Sequence, residues 1–338
     1  MKKNITAFAL VSGGLDSILA ARIVKEQGIN VIGLNFSTGF CNTIDGLLRK
    51  KYKTNDILKI KEDYEFPIEI VDISYEYLNV LMNPRYGYGE NINPCIDCHI
   101  FMLKKAKSIM EERKGHFIIT GEVVSQRPMS QFKNTLNLIE KQSGLKGILL
   151  RPLSAKLFQP TIPEQEGWVD REKLYDISGR SRKRQIQLAI ELGIESYMQP
   201  AGGCVLTDSS FANRFNDLIK HKKKEIITKS DLELLKVGRH LRFSNEIKVI
   251  VGRDERDNSY LDKFSFALKL RTVDIPGPTT VVDGTPNNEE IQRIAAFTAS
   301  YSDGKNSPSV KIEINKNGII ETINVKPVDK ELMEMIRV

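Results

Sequence analysis

The sharpest chemical signal in the sequence is a run of six residues near its start, Ser12-Gly13-Gly14-Leu15-Asp16-Ser17. Paired glycines let a backbone approach a ligand closely, and the successive N–H groups of such a turn point inward to make an anion-binding concavity. The hydroxyls of Ser12 and Ser17 add donors, and a helix starting at this point adds its electropositive end. Phosphate is the ligand this chemistry suits. Missing is the lysine with which a G-x-x-x-x-G-K-[ST] loop reaches the β and γ phosphates, so the turn differs from that of typical kinases and GTPases. A second signal is sulfur: Cys95 and Cys98 form a C-x-x-C, Cys204 closes a Gly-Gly-Cys, and Cys41 stands apart as an expected half-buried thiol. Four cysteines in 338 residues are too few for a disulfide scaffold, which leaves reactivity or metal binding as their use.

Three arrangements are compatible with Cys95, Cys98 and Cys204. As thiolates they can hold an iron–sulfur cluster with one iron left open to sulfide. As a relay, Cys98 carries or receives sulfur and Cys204 forms a transient disulfide. As a zinc site they need a fourth ligand, for which His99 is the nearby candidate. Asp97, between the paired cysteines, reads equally as a general base and as a helix N-cap. His116, His221 and His240 show no metal-ligand spacing.

The elements that must carry these groups are legible from hydrophobic pattern. Residues 5–11 form an apolar run too short for a helix and read as a buried strand feeding the glycine turn. Leu15, Leu19 and Ile23 recur at helical spacing, and Gly28 stands where a C-terminal cap belongs. Further runs at 30–36, 68–73 and 117–120 read as buried strands between helix-favouring stretches, which is the rhythm of a doubly wound parallel α/β sheet. Residues 84–94 are rich in Gly, Pro and Asn and are expected to loop, delivering Cys95 and Cys98 to a helix over 99–113. From about 205 the texture changes to short alternating strands, such as 247–251 and 309–314, with turn signals between them. A first domain over 1–204 and a smaller α+β domain over 205–338 are therefore expected, in keeping with a length that exceeds one ordinary core.

The run SGGLDS resembles the signature of the ATP pyrophosphatases, which adenylylate an oxygen and release pyrophosphate. The resemblance implies an adenine nucleotide alpha-hydrolase-like fold, in which Ser12, Gly13, Gly14 and Ser17 cradle the pyrophosphate part of ATP and Asp16 helps organise Mg2+. Asn35 and Thr38 at the end of the second strand, and Thr120 and Gly121 at the end of a later one, then lie where an open α/β sheet presents adenosine contacts. Residues 94–105 (PCIDCHIFMLKK) resemble the cysteine-bearing segment of tRNA 2-thiouridylases, and residues 116–131 resemble the T-G-E-x-x-S-Q stretch of tRNA 4-thiouridine synthetases. The set Cys95, Cys98 and Cys204 is similar to that of cluster-dependent tRNA thiolases, whose three cysteines bind a four-iron four-sulfur cluster. The activity implied is that of a tRNA sulfurtransferase: a uridine oxygen is adenylylated and then replaced by sulfur from sulfide or a cysteine desulfurase-type donor. Asp97 would take the uridine N3 proton, with Cys98 and Cys204 as the catalytic thiols. A cluster-free persulfide thiolase, an ATP-sensing RNA-binding factor and an amide ligase acting on a small molecule are the alternatives.

Residues 237–260, with VGRDERDNSYL followed by DIPG, resemble the RNA-binding domain of ribosome-quality-control factors that capture tRNA. That resemblance implies phosphate contacts from Arg239, Arg242, Arg253, Arg256 and Lys263, and base stacking by Phe243 or Tyr260. The net charge of +7 favours such a polyanionic partner but is a mild excess of 50 basic over 43 acidic residues. Local clusters, Arg49-Lys50-Lys51, Arg180 to Arg184 and Lys220 to Lys224, carry more of the signal. No apolar run approaches the length that spans a bilayer, and a cytoplasmic protein, with homodimerisation as an option, is expected.

Overall fold

The computed structural model describes residues 5–40, 64–195, 197 and 204–338. Cys41 and the Arg49-Lys50-Lys51 cluster lie outside the described residues. The chain divides into two compact units, Met1–Asp208 and Ser209–Val338. Among the described residues no helix is long and apolar enough to cross a membrane.

In the first unit, β1 (Thr6–Leu10), β2 (Asn30–Ser37), β3 (Ile68–Asp72), β4 (Phe117–Thr120) and β5 (Leu149–Leu150) form one parallel sheet in the order β3-β2-β1-β4-β5. The strand order reverses between β1 and β4, and such a switch opens a crevice at the carboxyl ends of those strands. Helices α1 (Leu15–Lys25), α2 (Ser74–Met82), α3 (Cys95–Glu112), α4 (Lys133–Ser143), α5 (Ile162–Gln165) and α6 (Lys183–Glu191) surround it. Alternation along β1 divides the core: Ala7 and Ala9 pack with Leu19 of α1 and Leu188 of α6, while Phe8 packs with Leu103 of α3 and Ile139 of α4. Both faces are thereby covered, which is why these strands read as continuous apolar runs.

One boundary differs from expectation in a way that matters. The helix over 99–113 begins earlier, at Cys95, so both paired cysteines lie in its first turn and not on the preceding loop. Pro94 occupies the N-cap, and the Cys98 N–H donates to the Pro94 carbonyl at 2.8 Å. Proline suits a helix start because it lacks the N–H that would be orphaned there.

The second unit is an antiparallel sheet of six strands, β6 (Arg239–Arg242), β7 (Lys248–Val251), β8 (Leu268–Thr272), β9 (Thr280–Asp283), β10 (Val310–Lys316) and β11 (Ile319–Val325), in the order β11-β10-β8-β9-β7-β6. Its helices are α7 (Ser209–His221), α8 (Lys229–Leu234), α9 (Glu255–Leu261), α10 (Asn288–Ser300) and α11 (Lys330–Met335). Helix α10 buries Ile291, Ile294 and Ala295 against Val249, Leu270 and Ile312 of the sheet. On the opposite face, Leu234 of α8 and Leu261 of α9 cover Ile250 and Val281. The result is the α+β architecture that the strand spacing indicated.

Candidate functional site

The glycine turn is held by its own serines. Ser17 Oγ donates to the Gly14 carbonyl at 2.7 Å and accepts from the Ser12 N–H at 3.2 Å, and Gly13 takes φ +84, open to glycine but unfavourable for residues with a Cβ. Gly14 is the N-cap of α1 without a side-chain cap, leaving the first-turn N–H groups for an anion. Asn35 is fully buried and donates to the Val11 carbonyl at 2.6 Å, so β2 braces the strand end that launches the turn. Its Oδ1 is buried without a hydrogen-bond partner among the described residues. Thr38 is also buried, and its Oγ1 accepts from the Phe40 N–H at 3.2 Å.

Gly121 has a steric role. A Cβ there would stand 2.5 Å from the Asp16 backbone, so only glycine lets the end of β4 pass under the first turn of α1. The segment after it, with Ser125 and Met129 at positive φ, reaches in two directions. Gln126 donates to Asp16 Oδ2 at 2.7 Å, and Arg182 lies 3.6 Å from the same oxygen. Glu122, four residues earlier, is buried and faces the cysteines: its Oε1 accepts from His99 Nδ1 at 2.8 Å and its Oε2 from Thr120 Oγ1 at 3.0 Å.

From Glu122 a line of charges runs to a thiol. Arg151, 3% exposed, donates to Glu122 Oε2 at 3.0 Å, to Glu140 Oε2 at 2.7 Å and to the Leu136 carbonyl at 3.1 Å. Burial opposes ionisation of Glu122, but Arg151 and His99 outweigh it and hold the carboxyl down to about 2. For His99, burial pulls the imidazole down, while Cys95 and Glu122 together push it up to about 10. Burial also raises the Cys95 thiol, and the hydrogen bond and charge of His99, a hydrogen bond from Ser130 and the charge of Arg127 bring it down to about 7. Cys95 is thus poised as a thiolate beside an imidazolium, the arrangement that activates cysteine nucleophiles. It is half-buried, whereas Cys98, the thiol favoured from sequence for sulfur transfer, is buried. Asp97 is not the N-cap. Its carboxylate accepts from the N–H groups of Arg85 at 3.2 Å and Tyr86 at 2.9 Å, tying down the loop that enters the helix.

Cys204 lies at the other end of the unit's sequence, its Sγ 3.6 Å from the Phe40 carbonyl. Its segment is stitched to the loop before Cys95: Ile92 N–H donates to Leu206 O at 3.3 Å and Asn91 Nδ2 to Thr207 O at 2.7 Å. Among the described residues, however, no three His, Cys, Asp or Glu side chains converge as a metal-ligand set. His99 gives its Nδ1 to Glu122 and its charge to Cys95. Asp16 differs: its Oδ1 is buried without a partner among the described residues and fits the cation that accompanies a nucleotide.

In the second unit the candidate phosphate contacts separate by what they already hold. Arg242 makes two bonds to Asp217, at 2.9 and 2.6 Å, and Lys248 reaches the same carboxylate at 2.8 Å. Arg253 is bonded to Asp257 at 2.6 Å, and Arg239 donates to the Gly252 carbonyl at 3.2 Å while lying 4.9 Å over the Tyr301 ring. Arg256 is 88% exposed, with a long 3.4 Å contact to Asp254, and Lys263 is exposed 5.8 Å from the Tyr260 ring. Phe243 packs on Phe297 at 5.0 Å and Tyr260 on Phe264 at 5.4 Å, so both aromatics contribute to packing.

Residues 3–156 match the family model described as Thiamine biosynthesis protein (ThiI), and residues 238–335 match that of the NFACT protein RNA binding domain. The tRNA-specific 2-thiouridylase MnmA of Petrotoga mobilis is 33% identical over 130 residues, covering 35% of this chain and 35% of the relative. The MnmA of Dechloromonas aromatica is 26% identical over 233 residues, covering 67% of this chain and 60% of the relative. The chain thus spans about a third of the length of the first of these curated relatives. Among solved structures, a 4-thiouridine synthetase in complex with RNA and bound ATP is 20% identical, with a TM-score of 0.35, covering 57% of this chain and 53% of that one.

Proposed function

We propose, from the premise that residues 3–156 belong to the ThiI family and residues 238–335 to the NFACT RNA-binding domain family, that this protein is an ATP-dependent tRNA sulfurtransferase. One observation carries the reading: the segment 120–131 joins a phosphate-binding turn, through Gln126 and Asp16, to an activated thiol, through Glu122 and His99. ATP binds with its phosphates on the Ser12–Ser17 turn and α1 N-terminus, its Mg2+ at Asp16, and its adenosine toward Asn35, Thr38, Thr120 and Gly121. A uridine carbonyl oxygen attacks the α-phosphate, the O–P bond forms and pyrophosphate leaves. Asp97 is not needed as base, because its carboxylate is engaged with the loop.

Sulfur arrives as a persulfide on Cys95, formed by a cysteine desulfurase-type donor. Its terminal sulfur attacks the activated carbon and AMP leaves. A second thiol, Cys204, then attacks the Cys95 sulfur, releasing the thiolated tRNA and leaving a Cys95–Cys204 disulfide that a dithiol reductant restores. His99 and Glu122 stabilise the Cys95 thiolate when it takes sulfur from the donor and again when reduction of the disulfide releases it. A second reading keeps the four-iron four-sulfur cluster on Cys95, Cys98 and Cys204; it is supported by the shared first turn of two of these thiols and by the bonds that draw the Cys204 segment to the neighbouring loop.

Pyrophosphate release tests the nucleotide half, since Asp16→Ala is expected to abolish it with tRNA binding retained, and an unchanged rate would remove the enzymatic reading. Glu122→Gln with anaerobic iron analysis separates the sulfur routes. Lost thiolation in iron-free protein supports the relay, while brown protein holding iron and labile sulfide that is lost in Cys95→Ala, Cys98→Ala and Cys204→Ala supports the cluster.

A further inference from the structure

Asp16 stands at the end of a chain of buried amides. Gln126 donates from Nε2 to Asp16 Oδ2 at 2.7 Å, and Gln185 donates from Nε2 to Gln126 Oε1 at 3.0 Å. Gln185 is 0% exposed and lies in the first turn of α6, so it has no solvent with which to exchange this bond. A carboxylate only accepts hydrogen bonds, which obliges Gln126 to turn its nitrogen toward Asp16 and its oxygen away. That oxygen obliges Gln185 to turn its own nitrogen inward, so the polarity of the chain is fixed from the carboxylate outward.

Two acceptors are left over. Gln185 Oε1 and Asp16 Oδ1 are both buried without a hydrogen-bond partner among the described residues. Arg182 adds its charge on Oδ2, the oxygen that Gln126 already serves. The donors recorded at Asp16 therefore gather on one carboxylate oxygen and leave the other bare, at the first turn of the helix behind the phosphate-binding turn. A buried bare acceptor is unfavourable, and a cation relieves it.

We propose that Gln126 and Gln185 are positioning residues that hold Asp16 by Oδ2 so that Oδ1 is presented to the divalent cation bound with ATP. This inference rests on the nucleotide reading above and adds two residues to it. Outer partners that orient a ligating carboxylate govern metal affinity without touching the metal.

Gln185→Glu reverses the polarity with almost no change in volume: a carboxylate cannot donate to Gln126 Oε1, so the Gln126 amide turns and brings oxygen against Asp16. Gln126→Met removes the link while filling the space. Calorimetric titration of the full chain with ATP, across a Mg2+ series and in its absence, reads the effect. In each variant the Mg2+ concentration that half-saturates the affinity gain is expected to rise about tenfold or more. Metal-free ATP affinity is expected to stay near wild type, whereas the melting temperature is expected to fall in Gln185→Glu, which buries a carboxylate. Should Gln185→Glu fail to fold, Gln126→Met carries the test. A folded variant with the wild-type Mg2+ dependence overturns the positioning role. Wild-type protein that binds no ATP at any Mg2+ concentration overturns the nucleotide reading itself, and the two failures are thereby distinct.

Discussion

At Cys95 the balance of burial against neighbouring charge can be measured one substitution at a time. With the thiol brought down to about 7, its alkylation by iodoacetamide is expected to reach half its maximal rate near that pH, rising as the thiolate forms. His99→Ala removes the largest favourable influence and leaves burial, so the midpoint is expected to move upward into or beyond the ordinary thiol range. Peptide mass spectrometry of the alkylated protein reads this, and an unmoved midpoint would show that His99 does not support the thiolate. The turn over Ser12 to Ser17 was legible in sequence because its residues are contiguous. The Cys95–His99 pair was local too, four residues apart on a helix, but its meaning depends on Glu122, 23 residues beyond His99, and on Arg151, a further 29 residues beyond Glu122. Gln126 stood only as the last residue of the T-G-E-x-x-S-Q resemblance and Gln185 gave no signal, since a buried amide chain across 110 and 59 residues has no periodicity to read.

Elements decide which charges are committed to carboxylates and which stay exposed. Helix α7 carries Asp217 into contact with Arg242 on β6 and Lys248 on β7, so Arg242, an expected phosphate contact, is committed to holding the unit together. Burial raises the Asp217 carboxyl, but Arg242 and Lys248 outweigh it and hold it down to about 2, against 3.8 in the unfolded chain. The folded value is the lower, so the stabilisation is fully present above roughly pH 4 and is lost as pH falls toward 2. Asp217→Asn is expected to cost about 2 kcal/mol at neutral pH and to flatten that acid dependence, as followed by hydrogen exchange in β6 and β7. Composition and motif pointed to these arginines as a group. Which of them are committed to carboxylates emerges only from strand register, because Arg242 pairs across the sheet with Lys248 and both face one helix.

For the whole molecule, the proposed function assigns chemistry to the first unit and docking to the second. The change of texture near residue 205 was visible because the hydrophobic period changes from continuous runs to alternation, and the compact units meet at Asp208 and Ser209. A chain ending at Asp208 is expected to lose most tRNA affinity while still binding ATP, and full-length binding is expected to weaken steeply with salt as phosphate contacts release counterions. Arg256→Glu with Lys263→Glu should reproduce part of that loss in filter binding without unfolding, since both side chains are exposed. Undiminished binding by the shortened chain would assign the second unit another role. The central claim, that the two halves together place sulfur on tRNA, is tested most directly by incubating the reduced protein with ATP, Mg2+, a sulfur donor and unmodified tRNA, then digesting the RNA for nucleoside mass spectrometry. A thiolated uridine that requires ATP and disappears with Asp16→Ala and Cys95→Ala is the expected result, its retention time telling C2 from C4 substitution. Pyrophosphate release without any thiolated nucleoside, whichever sulfur donor is supplied, would contradict it.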